Sequence, residues 1–303
     1  MTYDVVVVGG GPAGLSGAVA LGRALRTVLV IDAGDPRNAP AEGIHNFLTR
    51  DGEPPAEFRA RGRAEVERYG GEIREDTVTA VTRDGDGDFA VELAGGDTVA
   101  ARRLLVTSGT LDVLPDIPGL AERWGRTVLH CPYCHGYEVR GAPIGVIATG
   151  HMAMHAGLLW SQWTDDLILF ANDSFVPDEG QAGQLAARGV ALLPGRVVAV
   201  GDDGVRLADG TLVPRDHLVV QTRLECRLGF LTPLGVKPVE HPSGAGTHVP
   251  AVDPSGRTAI PGLWVAGNVT DPMAQVVTSA AAGLAAGAMI NMDLVQADAA
   301  RAG

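Results

Sequence analysis

Apolar positions along the chain fall into short unbroken runs separated by stretches of helical period. Thr2–Val8 is a β-branched run ending in four valines, the pattern of a strand buried on both faces. Residues 12–25 are rich in alanine and leucine, with Pro12 suited to a first helical turn, and residues 27–32 form a second apolar run. Strand, helix and strand in this order and length define a doubly wound unit. Residues 54–69 have a helical period and many charges. Residues 72–99 alternate, with turn signals at 84–87 and at Gly95-Gly96, which predicts a small β-meander; residues 103–107 read as another buried strand. After a proline- and glycine-dense break at 114–119, a strand at 143–149, a helix at 151–163 and a strand at 166–170 repeat the unit. A second break lies at 229–235, and residues 263–291 read as strand, turn and long helix. The expected fold is α/β, with two doubly wound nucleotide-binding-type domains and a small inserted meander. Residues 1–115 and 234–303 form the first, discontinuous domain, and residues 116–233 form the second.

Composition narrows the functions open to such a chain. Of 303 residues, 46% are hydrophobic and 20% charged, which suits a globular protein and excludes intrinsic disorder. A net charge of −12 argues against binding nucleic acid or an anionic membrane. Lys237 is the sole lysine. Three cysteines cannot build a secreted disulfide framework, and the chain runs from Met1 into a strand without a signal-peptide pattern, so a cytoplasmic location is expected. The stretch 273–292 contains Gly283 and Gly287 in a G-x-x-x-G spacing that membrane dimers use. It also carries Gln275, Thr278, Ser279 and Asn291, so a packed helix of a soluble protein is the expectation and no membrane partner is foreseen.

Two motifs bear chemistry. Gly9-Gly10-Gly11-Pro12-Ala13-Gly14 fits G-x-G-x-x-G between a strand and a helix, with Asp32 closing the next strand. In this pattern Gly9 makes the tight turn, Gly11 lets a pyrophosphate approach the backbone, Gly14 lets helix and strand pack, and Asp32 accepts from ribose hydroxyls. The second is His130-Cys131-Pro132-Tyr133-Cys134-His135, a C-x-x-C at a predicted helix start. Such a pair favours thiolate and closes reversibly to a disulfide, and His135 is placed to move the proton that exchange requires. A zinc site would need a second ligand pair that the spacing does not supply, and an inert buried pair fits poorly beside a dinucleotide motif. Cys226 reads as a packed core thiol, and His151 and His155 as structural or pocket-lining.

Over essentially its whole length the chain resembles the low-molecular-weight thioredoxin reductases. The likeness rests on the residues 9–14 fingerprint, Thr107-Ser108-Gly109, the C-x-x-C at the head of the second domain, residues 260–268 and Thr278-Ser279-Ala280. It implies FAD held by Gly9, Gly11, Pro12, Ala13, Gly14, Asp32, Asn46, Thr107, Gly109, Gly267, Asn268, Gln275 and Val276. It also implies catalysis by Cys131 and Cys134 with His135, Cys131 as the outer and Cys134 as the flavin-facing sulfur, and a homodimer. The family has Asp where Asn268 stands. Its second dinucleotide motif, G-x-G-x-x-A, here reads Ala148-Thr149-Gly150-His151-Met152-Ala153. The arginines that follow the next strand are missing, with no Lys or Arg between Arg140 and Arg188, while Asp165, Asp166, Asp173, Asp178 and Glu179 fall in that interval. A phosphate deprived of a cation loses hydrogen bonds worth about 1.5–3 kcal/mol each. Useful NADPH binding is therefore not expected. The segment 131–138 looks like that of the dithiol oxidases of gliotoxin and holomycin biosynthesis. This branch implies a small-molecule dithiol as substrate, O2 as electron acceptor giving H2O2, and one fixed arrangement of cysteines and flavin.

Overall fold

The computed structural model describes residues 2–84, 87–150 and 152–302. The chain divides into two units, Met1–Asp112 with Leu224–Gly303, and Val113–Arg223. The first segment contains β1 (Thr2–Val8), α1 (Pro12–Arg23), β2 (Val28–Asp32), α2 (Pro55–Arg68), β3 (Glu72–Glu75), β4 (Val78–Arg83), β5 (Phe89–Leu93), β6 (Thr98–Val106) and β7 (Thr110–Val113). Strand β1 pairs in parallel with β2 and with β6, and β2 with β3. Residues 72–75, expected in the meander, thus belong to the parallel sheet, because α2 is the crossover that returns the chain beside β2. The meander is β4–β5–β6, antiparallel. It is no separate insert. One strand, β6, pairs with β5 along its first half and parallel to β1 as far as Val106.

The second unit contains β8 (Val128–Leu129), α3 (Pro132–His135), β9 (Ile144–Ile147), α4 (Ala153–Trp160), β10 (Leu167–Phe170), α5 (Glu179–Ala187), β11 (Ala191–Leu193), β12 (Val197–Gly201), β13 (Gly204–Leu207), β14 (Leu212–Val213) and β15 (His217–Val220). Its parallel sheet has the order β11-β10-β9-β15-β8, and β12–β14 form a small antiparallel sheet. Ile144, Val146, Leu169 and Val219 are buried with Trp160 in its core. Asp178 caps α5 with a reciprocal box, accepting from the Gln181 N–H while the Gln181 side chain accepts from its own. His151 lies outside the described residues, and His155 is exposed on α4.

The chain then returns through β16 (Arg223–Cys226), β17 (Val239–Glu240), β18 (Thr247–His248), β19 (Leu263–Val265) and α6 (Val276–Ala302). The return falls at 223/224 rather than at 233/234, because Leu228 and Leu231 are buried in the first unit's core with Val78, Val81 and Phe89. Strand β19 completes the parallel sheet against β6. Helix α6 is long and apolar enough to cross a membrane by length and mean hydropathy, 1.2 over its best window. Its glycines have a different use. A Cβ on Gly283 would overlap the Ala13 carbonyl oxygen, and one on Gly287 would come within 2.7 Å of the Gly17 carbonyl oxygen. The small-residue seam packs α6 backbone-to-backbone on α1 of its own chain. Asp298 clamps the far end of α6, accepting from Arg26 at 2.9 Å and from Arg102.

Candidate active site

In the first unit, the β1–α1 turn builds a cradle. Gly9 has φ +108°, and a Cβ there would strike the Thr107 carbonyl. A Cβ on Gly14 would overlap the Gly9 carbonyl oxygen and lie 2.6 Å from Thr107 Oγ1, so the helix sits hard against the turn. Thr107 Oγ1 donates to the carbonyls of Gly9 (2.8 Å) and Val8 (3.0 Å), which makes Thr107 a tie for the loop. At Gly11 a Cβ would meet nothing within 4 Å, and no side chain caps the start of α1. Open space above Gly11 and uncapped N–H groups suit a pyrophosphate.

Asp32 ends β2 as a buried carboxylate. It accepts from the Gly34 N–H at 3.3 Å and from Arg63 Nη2 at 3.2 Å. Arg63, on α2, also donates to Glu75 at 2.6 Å; that bond first, then the charge of Asp32, raises the guanidinium pKa against the opposing effect of burial. No sequence signal singled out Arg63. Gly10 leaves room for Asp32, since a Cβ there would fall 2.6 Å from the carboxyl group. Beside the turn, the buried Ser108 hydroxyl has no hydrogen-bond partner among the described residues.

The remaining expected contacts come from three other loops. Asn46 has φ +61°, and its N–H donates to Asp51 at 2.9 Å, a bond that holds the Asp51 carboxyl below its ordinary pKa. Gly109 has φ +69° with open space at its Cβ position. Gly267 has φ +77°, and a Cβ there would come within 3.0 Å of Ala13. The Asn268 amide donates to the carbonyls of Asp271 (3.2 Å), Pro272 (3.2 Å) and Ala274 (2.9 Å), folding the turn that delivers Gln275 and Val276 to the start of α6. A carboxylate could not donate these three bonds. Cys226 backs the same region. Its thiol donates to the carbonyls of Thr247 (3.1 Å) and Val269 (3.4 Å), and burial pushes its pKa up. It is a hydrogen-bonded brace rather than a purely packed thiol. The cradle over Gly11, the acid at Asp32 and the unpartnered Ser108 hydroxyl fit a dinucleotide such as FAD.

In the second unit, Cys131 and Cys134 lie at the carboxyl edge of the parallel sheet, just after β8. His130 Nδ1 donates to the Val220 carbonyl at the end of β15, at 3.3 Å. Cys131 is the N-cap of α3, and its carbonyl accepts from the N–H groups of Cys134 and His135, both at 3.2 Å. The predicted helix start is thus a single turn holding Cys131, Cys134 and His135. Tyr133 and Tyr137 are 56% and 66% exposed, and Arg140 stacks on the Tyr137 ring with its Cζ 3.9 Å from the centroid.

The edge where a second dinucleotide would lie is built differently from the first. Ala148 is buried, and the Asn172 side chain donates to its carbonyl at 3.0 Å and accepts from the Val197 N–H at 2.9 Å. Asn172 and Asp173 have φ near +50°, at 49° and 51°. After β10 the chain therefore presents a side-chain brace instead of a cationic pocket, and Val176 is 90% exposed.

Residues 3–283 match the model of the pyridine nucleotide-disulphide oxidoreductase family, so the chain belongs to that family. Within it the chain is thioredoxin reductase-like. It is 32% identical to the thioredoxin reductase sirT of Leptosphaeria maculans, over 98% of this chain and 95% of that one. It is also 32% identical to tcpT of Claviceps purpurea, over 96% and 94%. Among solved structures, that of HlmI is 43% identical with a TM-score of 0.91 and covers 99% of this chain and 95% of its own. An oxidoreductase from Agrobacterium tumefaciens is 38% identical with a TM-score of 0.92, covering 97% and 99%.

Proposed function

We propose that the protein is an FAD-dependent dithiol oxidase that closes a disulfide in a small molecule of natural-product biosynthesis. The observation that carries this reading is the contrast within the second unit, where a C-x-x-C turn occupies the sheet's carboxyl edge while the Asn172 brace stands where phosphate-binding cations would be needed. Likeness to HlmI and sirT supports it. In the proposed exchange, a substrate thiolate attacks the Cys131–Cys134 disulfide at Cys131, and Cys134 leaves as a thiolate. The second substrate thiol, giving its proton to His135, displaces Cys131. The substrate leaves as a disulfide, and the two cysteines hold the two electrons. Bound FAD supplies a two-electron acceptor for the cysteine pair and a route from it to O2, which yields H2O2.

The cofactor would rest on Gly9, Gly11 and the start of α1, with Asp32 at a ribose and Asn268, Gln275 and Val276 at its other end. Exposed Tyr133 and Tyr137 favour a compact, apolar dithiol. The same reading includes a homodimer in the cytoplasm, which sedimentation of the purified protein and cell fractionation test. An oxygen electrode with small dithiols, with and without NADPH, tests the reaction. Dithiol-dependent O2 uptake without NADPH is expected, and Cys134→Ser should keep its yellow colour and lose turnover. Because the relatives named above are thioredoxin reductases, the second reading is an NADPH-driven disulfide reductase. Rapid anaerobic bleaching by NADPH would favour it.

A further inference from the structure

We propose that Trp163 is a positioning residue for the cysteine pair, a rigid indole wall that sets how readily Cys131 and Cys134 close to a disulfide. The inference rests on the dithiol-exchange reading above. A four-residue helix does not sustain itself, so α3 depends on what it packs against. The indole of Trp163 meets it at two points. Tyr133, between the cysteines, stands edge-on to it, with centroids 5.8 Å apart and planes at 90°. Gly136, directly after His135, lies so close that a Cβ would come within 2.9 Å of indole Cε2 and Nε1, and within 2.5 Å of the Pro132 carbonyl oxygen of the turn itself. Glycine is therefore the residue that lets the indole approach the end of the turn.

The wall is fixed from behind. The Trp163 N–H donates to the Trp160 carbonyl at 3.0 Å, and its carbonyl accepts from the Gly141 N–H at 2.8 Å. Trp160 is buried in the core of the unit, with its ring 6.1 Å from that of Trp163. Residues 133 and 136 are thus tied through one side chain to the second unit's core. A turn held in one shape keeps two sulfurs at high effective concentration in the dithiol state. A loosened turn gives the dithiol more conformations and disfavours closure.

The test is an anaerobic equilibration of the flavin-loaded protein in glutathione buffers, with alkylation and mass spectrometry to count closed and open pairs. In this exchange the Cys131–Cys134 bond forms, the sulfur–sulfur bond of oxidised glutathione breaks, and the two cysteine protons end on two glutathione thiols. Trp163→Ala should lower the closing constant about tenfold, which is about 30 mV for a two-electron couple. Trp163→Leu, which removes the indole and keeps an apolar side chain, should act in the same direction, and Trp163→Phe should change it less than about threefold. If Trp163→Ala fails to fold, Trp163→Leu decides alone. Closing constants within about twofold of the parent in folded Trp163→Ala and Trp163→Leu would overturn the proposal. A parent pair that never closes, at any glutathione ratio, would overturn the exchange reading itself.

Discussion

Leu25 stands just beyond α1 with φ +64° and 93% of its surface exposed. The Arg26 N–H donates to the Leu21 carbonyl and the Leu25 N–H to the Gly22 carbonyl, closing the helix with a left-handed residue where glycine is at ease. Leu25→Gly should raise the unfolding free energy by about 0.5–1 kcal/mol, read from a urea midpoint shift. Asn268 gives the opposite prediction. Asn268→Asp, the residue of the resembling family, would set a carboxylate against the carbonyls of Asp271, Pro272 and Ala274 and remove both amide N–H donors. It should cost about 1–3 kcal/mol and, on the proposed function, weaken flavin retention, read by melting temperature and flavin-to-protein ratio. At this scale sequence was an uneven guide. The Gly9–Gly14 spacing names its own backbone roles, because each glycine answers a local steric demand. Arg63, Asn172 and Trp163 could not be found that way. Their roles depend on which distant residue lies opposite, and no periodicity encodes that.

Among the elements, the seam between α1 and α6 should be the most sensitive to added volume. A methyl group on Gly283 overlaps the backbone of α1, so Gly283→Ala should destabilise the protein by about 1–3 kcal/mol and lower its flavin content, while Ala288→Leu on the exposed face should do neither. Strands β1, β2, β9, β10 and β19 were legible from runs such as Val5–Val8, since burial on two faces leaves no alternation to misread, whereas β3, β8, β11 and β15 did not stand out. The fusion of the meander with the nucleotide-binding sheet was not. Residues 98–102 alternate and residues 103–107 do not, so one strand, β6, looked like two. Its period changes where its neighbours change, from β5 to β19.

For the whole molecule, the ion pairs that hold α6 predict how stability follows pH. Hydrogen bonds first from Arg26, then from Arg102, hold the Asp298 carboxyl below its ordinary pKa of 3.8. A carboxyl whose pKa is depressed by folding contributes fully above the unfolded value and loses that contribution as pH falls through the folded one. Melting temperature should therefore drop as acid takes pH below about 4, and Asp298→Asn should flatten that slope while lowering the plateau. The domain plan was legible as two repeated units. The return crossing was misplaced because the glycines and proline of 229–235 mark a turn, whereas membership of the first unit is decided by where Leu228 and Leu231 are buried.

The glycine seam also fixes a timetable. The second unit is one continuous stretch, complete once Arg223 has left the ribosome, whereas the turn at residues 9–14 waits for Gly283 and Gly287 to emerge. The nascent chain thus finishes the unit that carries Cys131 and Cys134 first, and a cofactor proposed to rest on the turn at 9–14 would be held stably only after translation of the final helix.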